Sequence, residues 1–476
     1  MTFAQRASNN DNRHVRTTDV AVIGAGTSGL AAYRTARAAG KRALLIEQGA
    51  GGTTCAREGC MPSKLLIAAA DTAHAARHST PFGIHIDGKV EVDGQKVMQR
   101  VRQERDRFVE RVLGRAATIP SEDRLNGHAR FIDDTTLLVG DDITVHANSI
   151  VIATGSSPAV PTSFHTLGDR VVVNRDVFEW HDLPRSVAVF GAGIIGLELG
   201  QALSRLGTHV RVFGANGSIA ALTDPIIKKA VTACFNEEYY VDPYANVTDM
   251  QRDGDHVVIT FTDRQGNETT EHFDYVLAAT GRKPNLDGLS LERTGLRLDE
   301  QGVPLFDPLT LQCGQTPIFI AGDANGRLQQ LHEASFEGKV AGENAAAFPD
   351  VRPVQRNSPI SIVFSDPQIA MVGQRYSDLT PGSFVIGSMD FEDQGRSRVM
   401  LKNRGMMHIY ADKHSGRFLG AEWASPSAEH IAHLLAWCHQ QSLTIRQMLD
   451  MPVYHPVVEE GLVSALQQAE AARASE

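Results

Sequence analysis

The sequence predicts an α/β chain: two units built on doubly wound parallel sheets, followed by a C-terminal α+β domain. Three observations predict it. An apolar strand, a glycine turn and a small-residue helix follow one another at 20–39, and the same order returns at 187–206. At 476 residues the chain exceeds one domain of roughly 150 residues, so about three are expected. After a Pro-rich, charged boundary at 349–357, short strand patterns alternate with helices.

Taken in order, Val20–Ile23 is a continuous apolar run ended by Gly24, the helix pattern runs from Ser28 to Ala39, and a second run, Ala43–Ile46, ends at Glu47. This is a βαβ unit of about 30 residues. In Gly24-x-Gly26-x-x-Gly29 the first glycine makes the tight turn, the second admits a pyrophosphate and the third lets the helix pack closely. Glu47, 18 residues after Gly29, stands where a carboxylate accepts from ribose hydroxyls. Lys64 to Arg115 reads as amphipathic helices. Val187–Phe190 then leads into Gly191, Gly193 and Gly196, a helix to Leu206 and the strand His209–Phe213. Two Rossmann-like units follow from this repetition. In the second, the acidic position is Gly214 and no Arg follows nearby, so NAD and NADP stay open. The last part alternates strands at Ser361–Phe364 and Arg417–Ala421 with helices at Ala428–Gln440 and Val457–Ala474. The expected layout is a tail at 1–17, a first unit at 18–160 and 287–348, a second at 161–286 and a third domain at 349–476.

Composition narrows the function classes. With 42% hydrophobic and 21% charged residues, the chain has material for packed cores. A formal charge of -10 gives no footing on a phosphate backbone, which argues against nucleic acid. The apolar stretch Ser186–Leu203 is broken by four glycines and Glu198, so no membrane span is expected. Residues 1–17 lack an apolar signal core. The five cysteines are too few to staple the fold, which fits a reducing, cytoplasmic setting.

Cys55-Ala-Arg-Glu-Gly-Cys60 is the most informative spacing. Five residues of regular helix displace Cα atoms by about 7.5 Å, whereas a disulfide needs them within roughly 4.4 to 6.8 Å. A bond therefore requires a distorted turn, which Gly59 permits. Pro62 and Ser63 suggest a helix just beyond, whose positive end favours a thiolate at Cys60. Two ordinary buried thiols are the alternative. A metal site is disfavoured: no second cysteine pair completes a tetrahedral set, and His74 and His78 read as solvated helix histidines. In His455-Pro456-Val-Val-Glu459-Glu460, proline at a first helical position places the histidine at a helix entrance with carboxylates in the first turns. A histidine oriented by a carboxylate is a general acid or base. Eighteen histidines in the chain make this pattern weak by itself.

Together these residues resemble the FAD-dependent pyridine nucleotide-disulfide oxidoreductases. Gly52-Thr-Thr-Cys-Ala-Arg-Glu-Gly-Cys-Met-Pro-Ser-Lys64 is similar to their redox signature, and Ala153-Thr154-Gly155, Ala279-Thr-Gly281-Arg282-Lys-Pro284-Asn285, Phe319-Ile-Ala-Gly322-Asp323 and Val363-Phe-Ser-Asp-Pro367 fall in family order. Within the family, the chain is most similar to the dihydrolipoyl dehydrogenases. The resemblance implies FAD at Gly24, Gly26, Gly29, Glu47, Gly52, Thr54, Lys64, Thr154, Gly155, Gly322 and Asp323, with weaker backbone contacts at Ala129 and Leu331. It implies NAD at Gly191, Gly193, Gly196, Gly281 and Arg282, with NADP not excluded. It further implies a redox pair in which Cys60 adjoins the flavin and Cys55 exchanges with substrate, a Lys64–Glu198 pair at the flavin ring, and His455 with Glu460 acting across a homodimer interface. The expected substrate is dihydrolipoamide or a lipoylated protein domain. An NAD(P)H-dependent reductase of a glutathione-like small disulfide is the alternative, and a non-catalytic flavin-bearing subunit is argued against by retention of both thiols, His455 and Glu460. Thr53 and Arg57 depart from the signature, and Val453 replaces a histidine that many dihydrolipoyl dehydrogenases carry. The chain lacks a C-terminal cysteine pair, which argues against mercuric reductases and large thioredoxin reductases, and the two thiols argue against soluble transhydrogenases.

Overall fold

The computed structural model describes residues 14–474. The chain divides into two compact units. The first comprises the described residues up to Met61 with Arg105–Ser157 and Arg282–Arg356; the second comprises Pro62–Glu104, Pro158–Gly281 and Asn357 onward. The expected third domain thus groups with the segment 158–281, as does the stretch 62–104. Of the tail expected at 1–17, residues 1–13 lie outside the described residues, while His14–Thr17 begin the first strand. They pair with Ile143–His146, which gives their backbone groups partners that a tail would lack.

In the first unit, His14–Ile23 is central to a seven-stranded sheet. It runs parallel to Ala43–Glu47 on one side and, along its whole length, to Ile143–Ile152 on the other. Ile143–Ile152 pairs antiparallel with Thr136–Val139 at its start and parallel with Ile318–Ile320 at its end. Both faces are covered: Val20, Val22 and Val151 enter one core cluster, Ala21, Ile23 and Ile152 another. Two-sided burial explains why these strands read as unbroken apolar runs. The helices Thr27–Ala38 and Leu331–Ala347 pack backbone to backbone, since a methyl group at Gly338 would lie 2.2 Å from the Ser28 carbonyl oxygen.

The second unit holds a five-stranded, wholly parallel sheet with Ser186–Phe190 at its centre. The helix Ile194–Arg205 follows that strand, and an antiparallel meander spans Asn246–Phe273. Its C-terminal part is a five-stranded antiparallel sheet around Phe418–Ser425, packed with the helices Ala428–Gln440 and Glu460–Ala474 over Trp423, Phe391 and Phe418. The last helix begins at Glu460, not at Val457, so Pro456 is not its first residue. Glu460 accepts from Val457 N–H, and 458–459 form a turn that leads into the helix through Gly461 N–H to the Val458 carbonyl and Leu462 N–H to the Glu459 carbonyl. Among the described residues, no helix is long and apolar enough to cross a membrane.

Candidate active site

The first glycine turn does what its spacing implies. Gly24 has φ +103°, and a methyl group there would sit 2.4 Å from the Ala153 carbonyl oxygen; one at Gly29 would sit 1.8 Å from the Gly24 carbonyl oxygen. Gly26 has nothing within 4 Å of that position, so the space above it is open to a ligand. The helix starting at Thr27 has no side-chain cap, leaving its first N–H groups for an anion. Glu47 accepts from Ala25 N–H and Gly49 N–H, both at 2.7 Å, which fixes its carboxylate beside the turn. Gly155 is likewise open, and the buried Thr154 hydroxyl has no hydrogen-bond partner among the described residues. An open cradle, uncapped amides and a buried unsatisfied hydroxyl fit FAD.

Asp323 lies in the turn Gly322–Asn325. Ser156 Oγ donates to Asp323 Oδ2 at 2.8 Å, while Arg282 donates to Ser156 Oγ at 2.8 Å and to the Ser156 carbonyl at 2.6 Å. Arg282, expected at the nicotinamide, is therefore placed with Ser156, 4.0 Å from Asp323. The turn is anchored from beneath: buried Glu337 accepts from Gly322 N–H and from Asn325, and Arg356 holds Glu337 and Glu333. Ser156, Glu337 and Arg356 carry no local motif, so sequence reasoning missed them. Ala129 is buried at the start of a strand, and Leu331 is exposed at the first turn of its helix.

The cysteine loop is the distorted turn that the spacing requires. Thr54–Arg57 makes one helical turn, capped by the Thr53 hydroxyl, and a new helix starts at Cys60. Gly59 folds onto the first turn: a methyl group there would meet the Thr54 carbonyl oxygen at 3.1 Å and the Cys55 Cα at 3.3 Å. Cys55 is half-buried and Cys60 exposed in the first turn of its helix, where the dipole favours a thiolate. Arg57 Nε donates to the Gly51 carbonyl at 3.1 Å and its guanidinium lies over the buried Gly52, while Thr54 is exposed.

Lys64 follows Cys60 by one helical turn. Its ammonium lies 2.6 Å from Glu198 Oε2, and Glu198, at 4% exposure, also accepts from Phe364 N–H at 2.9 Å. Glu198 belongs to the helix that opens at the second glycine turn. There Gly191 has φ +111°, a methyl group at Gly196 would lie 1.9 Å from the Gly191 carbonyl oxygen, and Gly193 faces open space. That helix also lacks a side-chain cap, so the turn fits the pyrophosphate of a nicotinamide nucleotide. Gly281 has φ +119° and nothing within 4 Å of a methyl position.

His455 Nδ1 and Glu460 Oε1 are 2.9 Å apart. The hydrogen bond from His455, with that from Val457 N–H, holds the Glu460 carboxyl below the usual carboxylate range. The imidazole is 80% exposed, so its Nε2 side is available to a substrate or to a second subunit. His74 and His78 stack at 4.1 Å, and burial beside Arg205 pushes His74 down to about 4. His74 is thus a neutral, half-buried ring where a solvated histidine is expected. Among the described residues, no group of three or more His, Cys, Asp or Glu is arranged to hold a metal ion.

Residues 18–338 match the family model of the pyridine nucleotide-disulphide oxidoreductases, and residues 360–466 match that family's dimerisation domain. A dihydrolipoyl dehydrogenase of Chlamydia muridarum is 31% identical, over 93% of this chain and 94% of that protein. A mercuric reductase of Shigella flexneri is 30% identical, over 94% of this chain and 80% of its own length. The likeness to a mercuric reductase, which the sequence reading argues against, is therefore comparable to that to a dihydrolipoyl dehydrogenase. The solved structure of the HOCl-induced flavoprotein disulfide reductase RclA from Escherichia coli shares the fold, with a TM-score of 0.78 at 22% identity, covering 95% of this chain and 99% of that one. With FAD and NAD as its cofactors, the chain belongs to the pyridine nucleotide-disulphide oxidoreductase family and is a flavin-dependent oxidoreductase acting on a sulfur group.

Proposed function

We propose that this protein is a dihydrolipoyl dehydrogenase: a cytoplasmic homodimer that oxidises dihydrolipoamide, free or on a lipoylated domain, with NAD as acceptor. The observation that carries the reading is the cysteine loop, in which Gly59 folds onto Cys55 and Cys60 opens a helix. Such a turn suits a bond that opens and closes. With Nδ1 engaged by Glu460, His455 takes a proton at Nε2 from the bound dithiol. The resulting thiolate attacks Cys55 Sγ of the other subunit, breaking its bond to Cys60, which leaves as a thiolate. The second substrate thiol then attacks the first sulfur, its proton passing to the departing Cys55 Sγ, which closes the lipoyl ring and releases Cys55 as a thiol. The substrate loses two electrons and the cysteine pair gains them. Bound FAD, held at the first glycine turn, would supply the two-electron chemistry that links the reduced cysteine pair to NAD.

A second reading, an NADPH-driven reductase of a glutathione-like disulfide, is favoured by Gly214 and Val453. Measuring kcat/KM for NADH and NADPH, each against lipoamide and oxidised glutathione, decides between them. The first reading expects highest efficiency with NADH and lipoamide; a strong NADPH preference with glutathione overturns it.

A further inference from the structure

Two contacts reach the Lys64–Glu198 pair from the loop at 364–366. The Lys64 ammonium stands 4.4 Å from the centroid of the Phe364 ring, on the face of the ring. Its N–H groups are otherwise served by Glu198 at 2.6 Å and by Ser63 Oγ at 3.4 Å, a long contact. The main-chain N–H of Phe364 donates to the other Glu198 oxygen. One residue thus holds both members of the pair, the cation through its ring and the anion through its backbone.

The loop is itself clamped. Along the helix Ile194–Arg205, Glu198, Gln201 and Arg205 form one stripe and read the loop residue by residue. Gln201 Oε1 accepts from Asp366 N–H, Gln201 Nε2 donates to the Asp366 carbonyl, both at 2.8 Å, and Arg205 donates to Asp366 Oδ2 at 3.1 Å. All three stripe residues are nearly fully buried. Burial opposes ionisation of Asp366, yet Lys402, Arg205 and Arg404 hold its carboxyl below the usual range, so the clamp stays charged at neutral pH. Without the ring, Lys64, whose side chain is 32% exposed, has a long stem free to swing its ammonium toward water. With it, the ammonium is fixed between a carboxylate and a π face.

We propose that Phe364 is a positioning residue for Lys64, its ring fixing the ammonium at the place the redox chemistry uses. This rests on the proposed function together with the family resemblance, which implies Lys64 at the flavin ring. The ring, and not the amide, is the specific element, because any residue but proline at 364 supplies the N–H.

The test uses the FAD-loaded protein with phenylalanine at 364 replaced by its mono-, di- and trifluoro analogues, which keep the volume and progressively cancel the quadrupole, together with Phe364→Leu, Phe364→Trp and Lys64→Met. The midpoint potential of the flavin is measured for each. The expected result is a stepwise fall with each fluorine, a larger fall for Phe364→Leu, recovery in Phe364→Trp, and Lys64→Met as the limit. Flavin reduction by NADH should slow by about fivefold in Phe364→Leu, on the order of a partly exposed cation–π contact. If Lys64→Met lowers the potential but the fluorine series is flat, the inference about Phe364 is overturned while the role of Lys64 stands. If Lys64→Met leaves the potential unmoved, the placing of Lys64 at the flavin fails and this inference with it. In the FAD-free protein, urea midpoints of Phe364→Leu, Lys64→Met and the double variant should be non-additive; additivity also overturns the inference.

Discussion

The two glycine turns make the same steric demands and differ at the end of the strand that follows. Gly24 and Gly191 both have strongly positive φ; Gly29 and Gly196 both leave less than 2 Å for a methyl group; Gly26 and Gly193 both face open space. After the first turn comes Glu47, its two oxygens fixed by backbone N–H groups. The matching position after the second is Gly214, where a methyl group would lie 2.8 Å from the Pro243 Cα and 3.1 Å from the Asp242 carbonyl oxygen. The missing carboxylate is therefore no simple omission: the turn at 242–243 occupies its space. The two turns share their glycine sterics and differ in what packs against the end of the strand that follows.

The comparison is sharpened first at the third glycines. Gly29→Val should weaken FAD binding by about 100-fold, because overpacking against the Gly24 carbonyl costs on the order of 3 kcal/mol. Gly196→Val should leave the flavin bound and weaken NADH by a similar factor. Reconstitution of FAD-free protein and NADH titration check the pair; loss of FAD in both variants would show that the turns are not independent. Next, Glu47→Ala strips the acceptor from two N–H groups, and FAD affinity should fall by roughly tenfold to 100-fold, at about 1–3 kcal/mol for the lost hydrogen bonds. Glu47→Gln should lose less, because its amide oxygen can still accept.

Gly214→Glu is the reciprocal change and the one best able to break the comparison. With no room for the side chain, the variant should lose about 2 kcal/mol of stability in urea unfolding and gain no preference for NADH over NADPH. A gain in NADH selectivity at unchanged stability would contradict the packing explanation. The smallest effect concerns buried charge. The first unit pairs Arg356 with Glu333 and Glu337; the second surrounds Arg205 with Asp71, Glu238 and Asp366 beside His74. His74 titrates lower in the folded protein than in the unfolded chain, so the unfolded state binds more protons between about pH 4 and 6.5. Its contribution is full above pH 6.5 and is lost as pH falls toward 4, about 1–2 kcal/mol after solvent screening. Urea unfolding across that range should lose this dependence in His74→Gln.

What was legible in the sequence is what short-range sterics dictate. The glycine turns, the apolar strands and the helix Ala428–Gln440 lie where the pattern puts them. The distorted turn at Gly59 was readable because a disulfide and a regular helix have incompatible spans. Pro456 misled because a turn at 458–459 intervenes between the proline and the helix, which starts at Glu460, three residues later than expected. Long-range partners had no local signature at all. Lys64 and Glu198 are 134 residues apart and came only through resemblance; Ser156 and Asp323, 167 apart, belong to no pattern that links them. Phe364 lies within the stretch Val363–Pro367, but nothing in its neighbours announces an aromatic face turned to a lysine.

The central claim is that Cys55 and Cys60 form a redox pair that exchanges electrons with the nicotinamide nucleotide. Differential alkylation followed by peptide mass spectrometry tests it most directly, comparing air-oxidised, FAD-loaded protein with the same sample reduced anaerobically by NADH. The account predicts that both positions resist labelling when oxidised and that both are labelled after NADH, with Cys234 and Cys313 unchanged in their buried sites. Equal labelling of Cys55 and Cys60 before and after NADH would contradict it.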